Sequence, residues 1–235
     1  VKEKDLLDNE VIIKTRILKP AEAIGKPDRD DFPLLKGREV LMEATFLNVN
    51  GQAYTDAPSE FAGPLSRIID LPLDDSRQKA LFVAALNAVM RYVYPDLTTI
   101  HCKDNEPEEC AREIVNFLRS LNPGSLGLIG LQPAILASLV NLLGAHGVLC
   151  VDRDEKNCDM VKSGISINWG DKLGMETLFK QSDLILATGS TVVNGTLEDI
   201  LSLAEDYHRS VYFYGTTIAG TAFLMDLNRL CFKSR

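Results

Sequence analysis

The chain has 235 residues, of which 46% are apolar, and a formal charge of −8 at pH 7. That length suffices for two modest cores or one large one. No apolar run reaches the roughly 18 residues of a membrane span, and the lysines and arginines never gather into the patch a phosphate backbone requires, so neither a membrane nor a nucleic-acid partner is expected.

In chain order, Lys2, Glu3, Lys4 and Asp5 are too charged for a secretory signal, and a start at Val1 suggests a leading segment removed or left out. Residues 10–18 and 39–46 alternate as strands. Asn50-Gly51 predicts a type I′ turn, with residues 52–55 as the return arm of a hairpin. Between those strands, residues 20–37 are rich in Pro, Gly and Asp without periodicity. They read either as an excursion packed by Phe32, Leu34 and Leu35 or as a lid. Helices are expected over residues 60–69, with Pro64 confusing the start, and over 76–94, where residues 80–90 are apolar almost all round and hence buried. Residues 98–102 read as a short strand, and 107–121 as a helix capped by Asp104 or Asn105. Asn122-Pro123-Gly124 then breaks the chain, which puts a domain boundary between residues 1–122 and 123–235.

From Leu126 onward one pattern recurs five times: an apolar run, a small or polar loop, then a helical stretch. The runs are 126–130, 148–152, 165–168, 184–188 and 211–215. Strands alternating with helices predict an α/β fold, a Rossmann-like doubly wound parallel sheet beside a smaller α+β N-terminal domain. Ligands bind such sheets at the carboxyl ends of the strands.

Candidate residues follow from that geometry. After the first strand, Leu131 and Gln132 occupy places where a dinucleotide turn needs glycine, yet Asp152 ends the second strand where an acid holds a ribose hydroxyl. Asp152 reads equally as a helix cap. In the fourth loop, Thr188, Gly189, Ser190, Thr191 and Asn194 offer hydroxyls and amides to an anion or polar oxygen, and Thr196 with Asp199 resembles a capping box. Thr216 lies in a similar fifth loop. Asn87 must find partners inside its buried helix, either a helix-locking hydrogen bond or a ligand. Asp56 is a ligand group or a cap.

One segment, residues 101–110, packs His101, Cys102 and Cys110 among carboxylates, and imidazole and thiolate suit zinc, nickel, cobalt or copper. Its spacing fits no closed zinc module. Cys110 shares a helical stripe with Ile114, Phe117, Leu118 and Leu121, which favours a core role. Five sparsely spaced cysteines otherwise read as free thiols of a reducing cytoplasm.

HCKDNEPEEC (101–110), LIGLQP (128–133), ATGSTVVNGT (187–196) and YGTTIAG (214–220) together resemble the putative heavy-metal chelation family, a domain of unknown function joined to a small N-terminal domain. The resemblance spans nearly the whole chain and implies an N-terminal part similar to that of enolase, then a Rossmann-like domain, with a site between. It implies a transition metal or metal-bearing small molecule as ligand, and supplies no established site residue; the chemistry of residues 101–110 itself points to His101, and after it Cys102, as the coordinating side chains. His101→Ala is then expected to lower metal retention and leave the fold intact. The alternative is an enzyme using an adenosyl or nucleotide cofactor gripped by Asp152; a third reading is a scaffold with a vestigial crevice. A homodimer is the base-rate expectation for such a protein.

Overall fold

The computed structural model describes residues 12–36 and 39–235. β1 (Ile12–Ile17) falls inside the predicted first strand, of which residues 10 and 11 lie outside the described residues. Then come α1 (Pro20–Ala23), α2 (Pro33–Lys36), β2 (Val40–Phe46), β3 (Val49–Thr55), β4 (Phe61–Pro64), α3 (Leu65–Ile69), α4 (Ser76–Val93) and α5 (Glu106–Ser120). The four strands form an antiparallel sheet in the order β3-β2-β1-β4. The apolar face of α4 covers it, with Ala80, Ala84, Ala85 and Ala88 packed on Ile13, Met42, Phe46 and Ala53.

Four local expectations are corrected. The hairpin turns at Leu47-Asn48, where Leu47 takes φ 53° and Phe46 faces Val49 across the ladder. Asn50 and Gly51 sit within β3, and Gly51 is needed there for a different reason. A Cβ at Gly51 would lie 2.1 Å from the Ala88 amide nitrogen, because α4 rests directly on the strand. Residues 60–69 do not form one helix, since Pro64 ends β4 in extended backbone (φ −65°, ψ 145°) and only then does α3 begin. Residues 98–102 form no strand. Their amides are satisfied by the far end of the chain instead, Thr99 N and Ile100 N donating to the Arg235 carbonyl at 2.9 and 2.7 Å. The side chain of Asn105 does not cap α5. Asp104 and Asn105 accept instead from the amides of Lys26 and Asp28, at 2.8 and 2.9 Å. This pinning decides the residue 20–36 excursion in favour of packing. Ile24, Phe32 and Leu34 are buried in the same cluster as α5, while Leu35 is 37% exposed.

The second sheet contains β5 (Leu126–Ile129), β6 (Val148–Asp152), β7 (Val161–Lys162), β8 (Ile165–Trp169), β9 (Leu184–Thr188), β10 (Ser210–Tyr214) and β11 (Arg229–Leu230). Its order is β11-β10-β9-β5-β6-β8-β7, parallel throughout except for β7. Side chains alternate across it. Leu126, Leu128, Cys150, Leu184 and Leu186 point to α5 and α6 (Pro133–Leu143). Ile129, Val151, Ile185, Ala187 and Phe213 point to α7 (Lys172–Gln181), α9 (Leu197–Asp206) and α10 (Ala219–Leu224). Burial on both faces explains why these strands read as continuous apolar runs. The chain is therefore a mixed α/β fold with a large, mostly parallel sheet and a separate antiparallel one. Strand order reverses between β5 and β9, and the crevice at such a switch point lies over the loops at 130–132 and 188–191. Among the described residues no helix is long and apolar enough to cross a membrane.

Candidate functional site

Two joints hold the antiparallel sheet against the carboxyl ends of the parallel one. Tyr54 N donates to Thr217 Oγ1 at 3.0 Å, and the Asn87 side chain bonds to backbone on both sides. The space left between them is an open cleft of about 1580 Å³. That exceeds the roughly 300–1,000 Å³ of a typical small-ligand pocket. Of the candidate residues, Gln132, Asp152, Thr188, Gly189, Ser190, Thr191, Asn194, Asp56, His101 and Cys102 line it.

Thr216 and Asn87 are corrected: both are buried, at 1% and 0% exposure, and neither reaches the cleft. Asn87 belongs to the joint because its amide is consumed there. Nδ2 faces the carbonyls of Gln52, Thr216 and Thr217 at 2.8, 3.2 and 3.0 Å, and Oδ1 accepts from Gly220 N at 2.7 Å.

The loop after β5 is closed to a pyrophosphate. Leu131 N donates to Asp152 Oδ2 at 2.6 Å, Pro133 has no amide hydrogen, and Ile135 N is capped by Gln132 Oε1 at 2.6 Å. The other Asp152 oxygen accepts from Asp154 N at 2.7 Å and Asn157 Nδ2 at 3.2 Å. Asp152 thus clasps two loops together. In the fourth loop the glycine serves packing, since a Cβ on Gly189 would meet Ile218 N and Tyr214 O at 3.0 Å. α8 (Thr191–Asn194) is a single turn, and Thr191 Oγ1 is spent on the Thr188 carbonyl at 2.9 Å. The capping box is absent: Thr196 donates to Asn194 Oδ1 at 2.7 Å rather than capping α9.

A preformed shell for a bare metal ion does not fit the residues present. His101 Nδ1 lies 3.2 Å from the Ala23 carbonyl, which only accepts, so Nδ1 carries the proton; Nε2 then accepts from Tyr54 OH at 2.9 Å. Burial depresses the His101 pKa and raises that of Tyr54, keeping both neutral. Burial also pushes the Cys102 thiol up to about 12, so it carries its proton in the metal-free site. Among the described residues no three His, Cys, Asp or Glu side chains are grouped to hold a metal. His101 is instead a strut. It is anchored from behind, where Gln52 Oε1 accepts from His101 N at 2.7 Å and Gln52 Nε2 donates to the buried Glu43 at 2.7 Å. His101→Ala is therefore expected to cost about 2–3 kcal/mol by stranding the Tyr54 hydroxyl and the Ala23 carbonyl. A thermal melt checks this, and an unchanged midpoint would contradict it.

What the sequence reading missed is Glu39. It lines the same cleft as Asp152 and Asp56, and its carboxyl is raised from 4.5 to about 7, first by burial and then by Asp152, Asp56 and Asp154. Its only sequence signal was a charge at the start of a strand. Tyr54, Trp169 and Cys231 also line the cleft and belong to no motif.

The Putative heavy-metal chelation family model (DUF364) matches residues 115–227. No curated protein matches the chain. Among solved structures, a Pyrococcus horikoshii protein described as of unknown function and from the DUF364 family is 20% identical. The match covers 92% of this chain and 76% of that one, with a TM-score of 0.55. A protein of the same description from Desulfitobacterium hafniense is 14% identical over 80% of this chain and 73% of its own, with a TM-score of 0.54. At such identities the likeness is one of fold. Residues 115–227 of this chain, which include nearly all of the parallel sheet, are the part that resembles the DUF364 family model.

Proposed function

We propose that the protein binds a cationic small molecule in the cleft, a transition metal carried in an organic or amine complex being the form that joins the family description to this site. The complex is recognised by its outer shell and not by displacement of its ligands. One observation carries this reading. Among the described residues lining the cleft there are ten carboxylates against four lysines and arginines, and the Glu39 carboxyl is raised to about 7 by burial first and by its neighbours Asp152, Asp56 and Asp154 second. A wall of like charge lowers the free energy of an entering cation. The volume suits a complex rather than a naked ion, and in the first loop Leu131 N and Ile135 N are already bonded to side chains while Pro133 has no amide hydrogen.

The probe is hexaamminecobalt(III), a substitution-inert cation, compared with cobalt(II) chloride by isothermal titration. The inert complex is expected to bind, and Asp56→Asn to weaken it about tenfold, roughly 1.4 kcal/mol. Affinity rises with pH through about 7 as Glu39 loses its proton, and Glu39→Gln flattens that rise. The stability sign is the opposite. A carboxyl whose folded pKa is raised costs nothing below about 4.5 and destabilises progressively up to about 7, so Glu39→Gln is expected to gain roughly 2–3 kcal/mol above pH 7 and nothing at pH 4. Tight cobalt(II) binding with no response to the inert complex would overturn the outer-shell reading.

A further inference from the structure

Where the end of β3 meets the loops of the parallel sheet, hydrogen-bond donors of the cleft-lining residues are spent on the protein itself. Tyr54, which lines the cleft beside His101, is the clearest case. The Ala23 carbonyl lies 3.2 Å from His101 Nδ1 and can only accept, so the imidazole proton sits on Nδ1 and Nε2 keeps a lone pair. Nε2 is 2.9 Å from Tyr54 Oη, and that contact is a hydrogen bond only if the phenol donates. The tyrosine proton is thereby committed to the histidine. The pair is braced from behind, His101 N donating to Gln52 Oε1 and Gln52 Nε2 to Glu43 Oε2, both at 2.7 Å. Neighbouring donors follow the same pattern. Tyr214 Oη donates to the Gly130 carbonyl at 2.8 Å, Leu131 N to Asp152 at 2.6 Å and Thr191 Oγ1 to the Thr188 carbonyl at 2.9 Å. The Tyr54 amide is spent on Thr217.

We infer that Tyr54 is a specificity-determining residue that accepts a hydrogen bond from the ligand, so that the cleft selects cations bearing N–H donors, as ammine and primary or secondary amine ligands do, over cations of equal charge that bear none. The inference rests on the cation reading above and narrows it. Having given its proton to Nε2, Tyr54 Oη can offer a ligand lone pairs alone. Asp56, which leaves the end of the same strand, adds a carboxylate, an acceptor of the same kind. A cation sheathed in aromatic C–H gains the attraction of the carboxylates but strips these acceptors of water without supplying a donor, and that penalty sets the preference. Burial, which holds His101 below its usual pKa, keeps the imidazole in the singly protonated form that this arrangement of protons requires.

Two substitution-inert complexes of equal charge separate hydrogen bonding from Coulomb attraction: hexaamminecobalt(III), whose outer surface is N–H throughout, and tris(bipyridine)cobalt(III), which has no N–H. Isothermal titration of the full chain is expected to show the hexaammine bound about tenfold more tightly. Tyr54→Phe is expected to weaken the hexaammine about tenfold and to leave the bipyridine complex within about twofold, whereas Asp56→Asn weakens both alike. Nitrogen NMR of the free protein is expected to find His101 protonated on Nδ1 and bare on Nε2. Equal or tighter binding of the bipyridine complex, a Tyr54→Phe variant that keeps the preference or weakens both complexes equally, or a proton on Nε2 would overturn the donor selection and leave the cation reading standing. Binding of neither complex to the wild-type chain overturns the cation reading, and this inference with it. The wild-type titrations and the histidine tautomer decide even if Tyr54→Phe does not fold.

Discussion

Asn87→Ala is expected to destabilise the protein by about 3–5 kcal/mol, lowering the melting midpoint by roughly 10 °C or more. The side chain is wholly buried in α4 and makes every contact its amide can make. Alanine would leave the Gly220 amide and the carbonyls of Gln52, Thr216 and Thr217 with fewer partners and no water. Each buried group left unpaired costs about 1–3 kcal/mol. Asn87→Asp separates polarity from volume. It keeps the shape but turns a charged oxygen toward three carbonyls, so it is expected to cost at least as much as alanine. Urea unfolding measures both, and a loss under about 1 kcal/mol for either would remove Asn87 as the pin between the two sheets. Because that pin also sets the distance from β3 to the loop at 216–220, cation binding in the cleft is expected to weaken with it.

Gly51→Ala is the second large effect, and its origin is steric. An added Cβ would stand 2.1 Å from Ala88 N, 2.5 Å from Asn87 C and 2.7 Å from Ala84 O, all backbone atoms of α4. Backbone in the middle of an 18-residue helix has no rotamer to change, so the helix and strand must part. Overpacking ordinarily costs 1–3 kcal/mol, and a clash with rigid backbone is expected at the top of that range or above, about 3 kcal/mol or more. Gly215→Ala is the control. Nothing lies within 4 Å of its Cβ, and only its φ of +94° opposes a side chain, so a cost of about 1 kcal/mol is expected. If the two variants melt together, close approach is not what Gly51 provides.

Both residues bear on how the cleft is made. Tyr54, Thr55 and Asp56 leave the end of β3 just where α4 presses that strand toward the parallel sheet, and Tyr54 N closes the contact on Thr217. The walls of the site are therefore set by helix–strand packing remote from the cleft itself. A binding defect in Asn87 or Gly51 variants is to be separated from the direct effect of Asp56→Asn by comparing each at a temperature where it remains folded.

The local pattern of residues determined much of this protein. Continuous apolar runs separated by small-residue loops specified β5, β6, β9 and β10, because strands buried on both faces need no polar side, while β8 alternates buried and exposed residues. The all-round apolar stretch at 80–90 specified a buried helix, and ten of the twelve candidate residues came to line one cleft because strand ends at a switch point converge whatever their identities. Only the tertiary structure decided what those residues do there. It turned Asp152 onto the Leu131 amide, His101 into a strut between Tyr54 and Ala23, and Asn87 into a joint. It also brought Glu39 into the same cleft as Asp56 and Asp152, within electrostatic reach of both. Hydrogen-bond partners and proton affinities depend on which groups from distant parts of the chain arrive within a few ångströms, and no spacing along a sequence records that.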